Sequence, residues 1–580
     1  MKLYIKGLIL SGLLAGTACT DLDTDLDTKY TEFPENPIAV EGEFNACYRY
    51  LHGWFGRDFA EGVIFQGDEV MGCCRSLGSY WDDGRYCEAS YHSLHLDNWR
   101  VNACMEAAMS GITYTNEKIA TYGGPTFDDP VVAPLRAIRA YYHFWMMELY
   151  GDTPLMDHVM EPGELIDRAP RADVARYIES ELLALLNQEG GLSKANDIST
   201  YGKPNYWMAA ALLVKLYLNW GVYTHDITTV TATTENEKLN DCVYWCDQII
   251  QSGLFEVGTG YRKKFYPDNG LHIKDFIYAL DVDPNGKTDG TTTWMRWFDY
   301  KDDAMCLPNL MGFKPTQSLA GQTVLTKECV DRFNLPGDER NDMILVGPQY
   351  AFDAQYNKTD EPVIVYKELG NKNKSHIQLN FRAEFDFEDP EHYGLGSPDE
   401  PALNKANVEN GTALLNGMKG ARCFKYPARE EDYSLWGRQQ ANDSPIFRFA
   451  DILLTKAECI MRGAQATNGD TPMSLFNEIR RCSNAPLIGA NPTMDELCDE
   501  RSREFLLEPW RRNDLIRFGK FEDDWGQKNR YKVWDNEEHT QFHWVDRPGV
   551  KDPRRRLMPI GRTVLNTNTN WSQTPGYAGI

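Results

Sequence analysis

Two short windows gather residue types that could do chemistry together. GSYWDDGRY brings Tyr80, Trp81, Asp82, Asp83, Arg85 and Tyr86 into one glycine-bounded loop, and TTTWMRWFDYKDD brings Trp294, Arg296, Trp297, Asp299 and Tyr300 into a second. Flat rings beside carboxylates and guanidinium groups suit a polyhydroxylated ligand. The ring faces cover the C–H side of a sugar, and the charged groups take its hydroxyls, arginine two at a time. A single tryptophan packs irregular chain onto helices as readily as it meets a ligand. Paired rings with interleaved charge are harder to explain by packing alone.

Other constellations are weaker. DVDPNGKTDG spaces Asp281, Asp283, Asn285 and Asp289 like the opening of a calcium loop with Gly286 at the turn, but Thr292 stands where a bidentate glutamate is needed. A plain turn is expected there. His539 and His543 are four apart beside Glu537 and Glu538 but lack the HExxH order, so no zinc site is expected; His92, His95 and Asp97 read as structural. There is no G-x-S-x-G elbow, P-loop or dinucleotide fingerprint, and no cofactor is expected. A glycosidase needs only two carboxylates across a cleft, which 85 acidic residues neither reveal nor exclude.

The elements that must position these windows are mainly helical. LRAIRAYYHFWMMELY, between Pro134 and Gly151, is apolar on nearly every face and ends in Gly-Asp and Pro154, which predicts a buried helix. Its Tyr141, Tyr142, Phe144 and Trp145 therefore belong to core, as do Trp207 and Trp220. Further helices are predicted over Val174 to Gln188, Tyr206 to Tyr223 and Leu239 to Ser252, making two pairs of similar length and a repeat of about 34 residues, as in tetratricopeptide packing. Ile446 to Arg462 with Pro472 to Cys482 form a later pair, and Phe44 to Leu51 with Trp99 to Thr121 an earlier candidate. Between the pairs, 258–444 is loop-rich, with short β-prone runs such as Pro362 to Tyr366.

The 580 residues carry a formal charge of −25, or −27 once Lys2 and Lys6 leave with an export signal. Such a surface repels phosphate backbones, so no nucleic-acid partner is expected. The signal is the oily run Gly7 to Ala18, too short to span a bilayer and ending at Cys19. Thirteen of the fourteen cysteines remain after Cys19, scattered and without a CxxC pair, and read mostly as small buried hydrophobes.

Several stretches resemble one family, the SusD/RagB nutrient-uptake lipoproteins of the Bacteroidetes outer membrane. They are RAIRAYYHFWMMELYGDTPL, SPIFRFADILLTKAECIMRG, FNEIRRCSNAP, ERSREFLLEPWRRNDLIRFGKF and LMPIGRTVLNTNTNWSQTPGY, in family order, with Pro509 and Gly561 as departures. Gly16, Thr17 and Ala18 before Cys19 resemble a lipobox, and Asp21, Asp23, Asp25 and Asp27 an acidic surface-export tag. The resemblance implies a mainly α, SusD-like fold of four tetratricopeptide-like helix pairs, with a large loop-rich insertion and a few short strands. It implies an outer-membrane lipoprotein anchored at Cys19, with no catalysis, that delivers oligo- or polysaccharide to a SusC-like TonB-dependent transporter. A peptide-binding relative is the alternative, and a surface glycan hydrolase a more distant one. The expected organisation is a signal at 1–18, an acidic tether at 19–35, an N-terminal region at 36–257 and a C-terminal region at 258–580, interlocked with it. The last splits into the loop-rich 258–444 and the closing repeat and motifs of 445–580. Tyr80, Trp81, Asp82, Arg85, Trp294, Arg296, Trp297 and Tyr300 are the expected glycan contacts.

Overall fold

A computed structural model describes residues 37–53, 62–72, 85–282, 310–312, 323–369, 373–381, 383, 420–431, 440–525, 530–534, 542–546 and 549–577; at 51–53, 72, 85–87, 365–369, 373–377, 530–534 and 542–546 it describes backbone alone. Helix α1 (Trp99–Tyr122) starts at Asn98, whose side chain accepts the Arg100 amide. Helix α2 (Ala133–Tyr150) takes Pro134 in its first turn, where a missing N–H goes unnoticed. Only Pro134 and Arg136 of its 18 residues escape burial. It ends at Gly151, whose φ of 78° favours glycine and whose Cβ would lie 2.7 Å from Leu557 Cδ1. Helices α3 (Arg171–Asn187), α4 (Tyr206–Leu218) and α5 (Leu239–Gln251) follow.

Each of these helices packs on the next, α1 on α2 through α4 on α5. The stack then continues with a helix far along the chain: α5 packs on α6 (Phe449–Met461), and α6 on α7 (Pro472–Cys482). The mainly helical reading therefore holds, and Tyr141, Tyr142, Phe144, Trp145, Trp207 and Trp220 are core. Two boundaries differ from expectation. The helix predicted over Tyr206 to Tyr223 breaks at Asn219, whose Nδ2 bonds the Lys215 carbonyl at 3.0 Å, and a short helix, Trp220–Thr224, resumes beyond it. The helix predicted from Ile446 starts at Phe449, because Ser444–Arg448 is a strand paired antiparallel with Phe276–Leu280.

Helices α8 (Met494–Phe505) and α9 (Arg511–Arg517) form a charged hub inside the molecule. Thr493 and Glu496 open α8 with a reciprocal capping box. Beyond it the charges turn inward. Arg340 donates to Asp338 and Glu500, both at 2.7 Å, and to Glu504 at 3.2 Å; Arg448 pairs with Asp275 at 2.6 Å, Glu504 at 2.8 Å and Glu508 at 3.0 Å. Arg501 pairs with Asp451 at 2.7 Å and Asp514 at 2.8 Å, and Arg517 with Glu458 at 2.7 Å. All these groups are buried. Desolvating so many charges is tolerable only because each guanidinium is matched by carboxylates in good geometry. The arginines hold Glu458 and Glu500 at about 2 despite burial, which alone would raise them.

Candidate functional site

The described residues place the stems of both aromatic windows. Tyr80, Trp81, Asp82, Asp83, Trp294, Arg296, Trp297, Asp299 and Tyr300 lie outside them, as do Cys19, Asp283, Asn285, Asp289 and His539. Arg85 and Tyr86 are described by backbone alone, opening the short helix Arg85–Ser90.

The stems share one small sheet. Strand β1 (Val70–Gly72) pairs antiparallel with β3 (Thr323–Leu325), with Val70 opposite Leu325, Met71 opposite Val324 and Gly72 opposite Thr323; Phe276–Leu280 is β2 and Ser444–Arg448 is β4. Gly72 is the last described residue before the first window, and Thr323 opens the first described strand after the second. Val324 is fully buried with Met71 beneath the pair. Leu325 N donates to the Ala421 carbonyl at 3.0 Å, and the neighbouring Gly420 has a φ of 76°. A Cβ there would lie 2.2 Å from Val324 Cγ1, so this position needs glycine both for space and for conformation.

The charged hub fixes this sheet from below. Asp68 accepts from Arg511 Nε at 2.6 Å and Nη2 at 2.8 Å, while its own carbonyl takes the Thr326 hydroxyl at 2.6 Å. Glu69 accepts from Ser502 Oγ at 3.1 Å and from the Leu507 amide at 3.3 Å. Burial pushes the Glu69 carboxyl up to about 7, against the pull of Arg511.

At the other end of the second window, Val282 is the last described residue, and its amide donates to Asp443 Oδ1 at 2.8 Å. Tyr201 Oη donates to Asp443 Oδ2 at 2.5 Å, and the Asp443 amide donates to Asn269 at 2.8 Å. Burial pushes Asp443 up to about 7, with neighbouring Asp281 acting in the same direction.

Of the histidines read as structural, His92 is packed into the core. His92 is buried, bonded through Nε2 to the Gln66 carbonyl at 2.9 Å and stacked on Phe521 with centroids 4.0 Å apart. Asp97 is paired with Arg562 at 2.5 Å. Nine cysteines among the described residues are free thiols, all buried. Sequence reasoning missed Glu69, Gly420 and Asp443 as anchors. Gly420 lies within the loop-rich span with no motif around it, and the two carboxylates look like any of the chain's acids until burial is known.

Residues 274–577, over half of the chain, match the model of the SusD family. The chain belongs to the SusD family. It is 24% identical over 453 residues to the starch-binding protein SusD of Bacteroides thetaiotaomicron, a match covering 77% of this chain and 72% of that protein. Its fold is that of surface glycan-binding protein A from Bacteroides fluxus (TM-score 0.63, 18% identity, covering 94% of this chain and all of the other). Surface glycan-binding protein A from Bacteroides thetaiotaomicron, solved in complex with laminarihexaose, is similar as well (TM-score 0.60, 16% identity, covering 93% and 99%). Within the SusD family match fall the hub helices, β4 and Asp443.

Proposed function

We propose that this chain is a cell-surface glycan-binding lipoprotein, without chemistry of its own, that captures oligo- or polysaccharide and delivers it to a SusC-like TonB-dependent transporter in the outer membrane. The observation that supports the reading is the pairing of Gly72 with Thr323, which sets the strand before the first window beside a strand that follows the second, in a sheet held by buried ion pairs. Membership of a family whose matched relative is named a starch-binding protein supports the ligand class. Tyr80 to Arg85 and Trp294 to Tyr300 then supply stacking faces and hydroxyl partners. Among the described residues no helix is long and apolar enough to cross a membrane. In this reading a lipid on Cys19 holds the body at the membrane, with 19–35 as a self-repelling tether.

Affinity electrophoresis through gels containing starch, laminarin and other plant and host polysaccharides tests the proposal. Retardation by at least one glycan, without released sugar, is expected. Release of sugar would favour the hydrolase, and no retardation by any glycan alongside measurable peptide binding would favour the peptide-binding alternative.

A further inference from the structure

Two segments flank α2 in the chain, and both set exposed apolar side chains among acids. Segment 123–132 joins α1 to α2, and 157–167 lies between α2 and α3. Phe127 and Val131 on the first are 53% and 49% exposed, and Val159 and Leu165 on the second 43% and 50%. Together the segments hold six carboxylates, Asp128, Asp129, Asp157, Glu161, Glu164 and Asp167, and no lysine or arginine. They meet at an open cavity of about 580 Å³, to which the first contributes Thr126, Phe127 and Asp128 and the second Asp157.

Both segments are fixed to the helices. Asp129 N donates to the Gly123 carbonyl at 3.1 Å, and Gln188 Nε2, at the end of α3, to the Asp128 carbonyl at 2.7 Å. Asn116 Nδ2, on α1, donates to the Met156 and His158 carbonyls at 3.0 Å and 2.8 Å. His158 bridges Asp157 at 2.8 Å and Glu164 at 3.0 Å, which closes the second segment on itself. Phe127 is held at a φ of 58°, a region that disfavours bulky side chains, so its outward ring is kept at a local cost that water does not repay.

The charge of this face selects its occupant. Arg136 and Arg139, on the wall between the segments, are engaged by Glu181 at 2.8 Å and 3.2 Å, so the carboxylates of the two segments set the sign of the rim, offset in part by His158. An anionic membrane surface is repelled, and a second copy docking by the same face would set like carboxylates against each other. A protein segment that interleaves apolar side chains with lysine or arginine fits both features. Its apolar groups cover Phe127, Val131, Val159 and Leu165, its cations meet the exposed carboxylates of Asp128 and Asp157, and the Phe127 ring adds a face for a cation. We propose that this face docks a partner protein through such a basic, apolar segment, one of whose long cationic side chains enters the cavity. The proposal goes beyond the glycan reading and holds whatever nutrient the chain captures.

The test uses the full chain with photoreactive benzoylphenylalanine in place of Phe127 or Leu165, irradiated in the cells that make it, with the cross-linked peptide identified by mass spectrometry. Both positions are expected to join the same partner protein, through a segment richer in lysine and arginine than in acid. Asp128→Asn with Asp129→Asn keeps the oxygens that accept from Thr126 and Val131 but removes the charge, and should cut the yield about tenfold. Benzoylphenylalanine in place of Tyr244, 56% exposed on α5, should not give the product. The docking face is overturned by no product from either position, by a product with lipid, an acidic segment or a second copy of this chain, by the same product from Tyr244, or by undiminished yield in the Asp128, Asp129 variant. Retardation by a glycan without the cross-link would sink this face and leave the proposed function standing; the cross-link without any retardation would do the reverse.

Discussion

Val282 and Asp443, 161 residues apart in sequence, are joined by a hydrogen bond of 2.8 Å from the Val282 amide to Asp443 Oδ1. A nearly buried carboxylate thus holds the point where the chain sets out toward the second aromatic window.

That carboxylate predicts a pH dependence. Its folded value of about 7 lies above the ordinary 3.8, so the folded state binds the extra proton between those limits. The cost of burying the charged form is fully present above about 7 and is relieved as pH falls toward 4. Asp443→Asn carries no such charge. Urea denaturation should therefore show wild type gaining on Asp443→Asn from pH 8 to pH 5, by up to roughly 1.4 kcal/mol per pH unit. Parallel stability curves would refute the assignment.

The hub should be intolerant of single losses. Arg501→Met leaves the buried carboxylates of Asp451 and Asp514 short of a partner and should cost about 3–5 kcal/mol in denaturant unfolding. Arg562→Met breaks the exposed pair with Asp97 and should leave the midpoint unchanged within error. Similar effects from the two substitutions would mean the hub is not a buried network.

Gly420→Ala should strain the sheet that roots both windows. The new methyl meets Val324 at 2.2 Å, and its φ of 76° disfavours alanine, for a combined loss of about 2–4 kcal/mol. Adding Val324→Gly removes the clashing side chain, whose Cβ would also lie 2.5 Å from the new methyl, and leaves the backbone strain. Thermal melts of the double variant should recover part of the stability that Gly420→Ala loses; a further fall of the full size expected for a cavity would count against close approach as the cause.

Trp81→Ala and Trp294→Ala should each weaken retardation by the bound glycan about tenfold with unchanged melting temperature. Undiminished retardation in both would remove these windows as the binding site.

Cys19→Ala should move the protein from the membrane fraction to the soluble fraction on centrifugation of cell lysates. Its persistence in membranes would rule out a lipid on that residue as the anchor.

The helices were legible in the sequence where burial covers a whole element. The run from Leu135 to Tyr150 has no polar face to hide, and Gly151 marks its end. SPIFRFADILL misled because an apolar run has no period that separates a buried strand from a buried helix, and Pro445 within it is compatible with either start. The charges of ERSREFLLEPWRRND are all buried, which no local pattern announces. Among their partners, Asp68, Glu148 and Arg340 lie 443, 364 and 160 residues away, beyond any local pattern.

The inward-facing charges of α8 and α9 also set an order of events. Glu148 and Lys215 are made early and acquire their buried countercharges, Arg512 and Asp451, only when residues 448–517 emerge. Until then, collapsing the N-terminal helices would trap unpaired charge in an apolar interior, which is costlier than leaving them in water. Closure of the early helices is thereby disfavoured until residues 448–517 exist. Ending the chain before Met494 should yield a protease-sensitive product, and a compact, resistant one would show that the early helices close unaided.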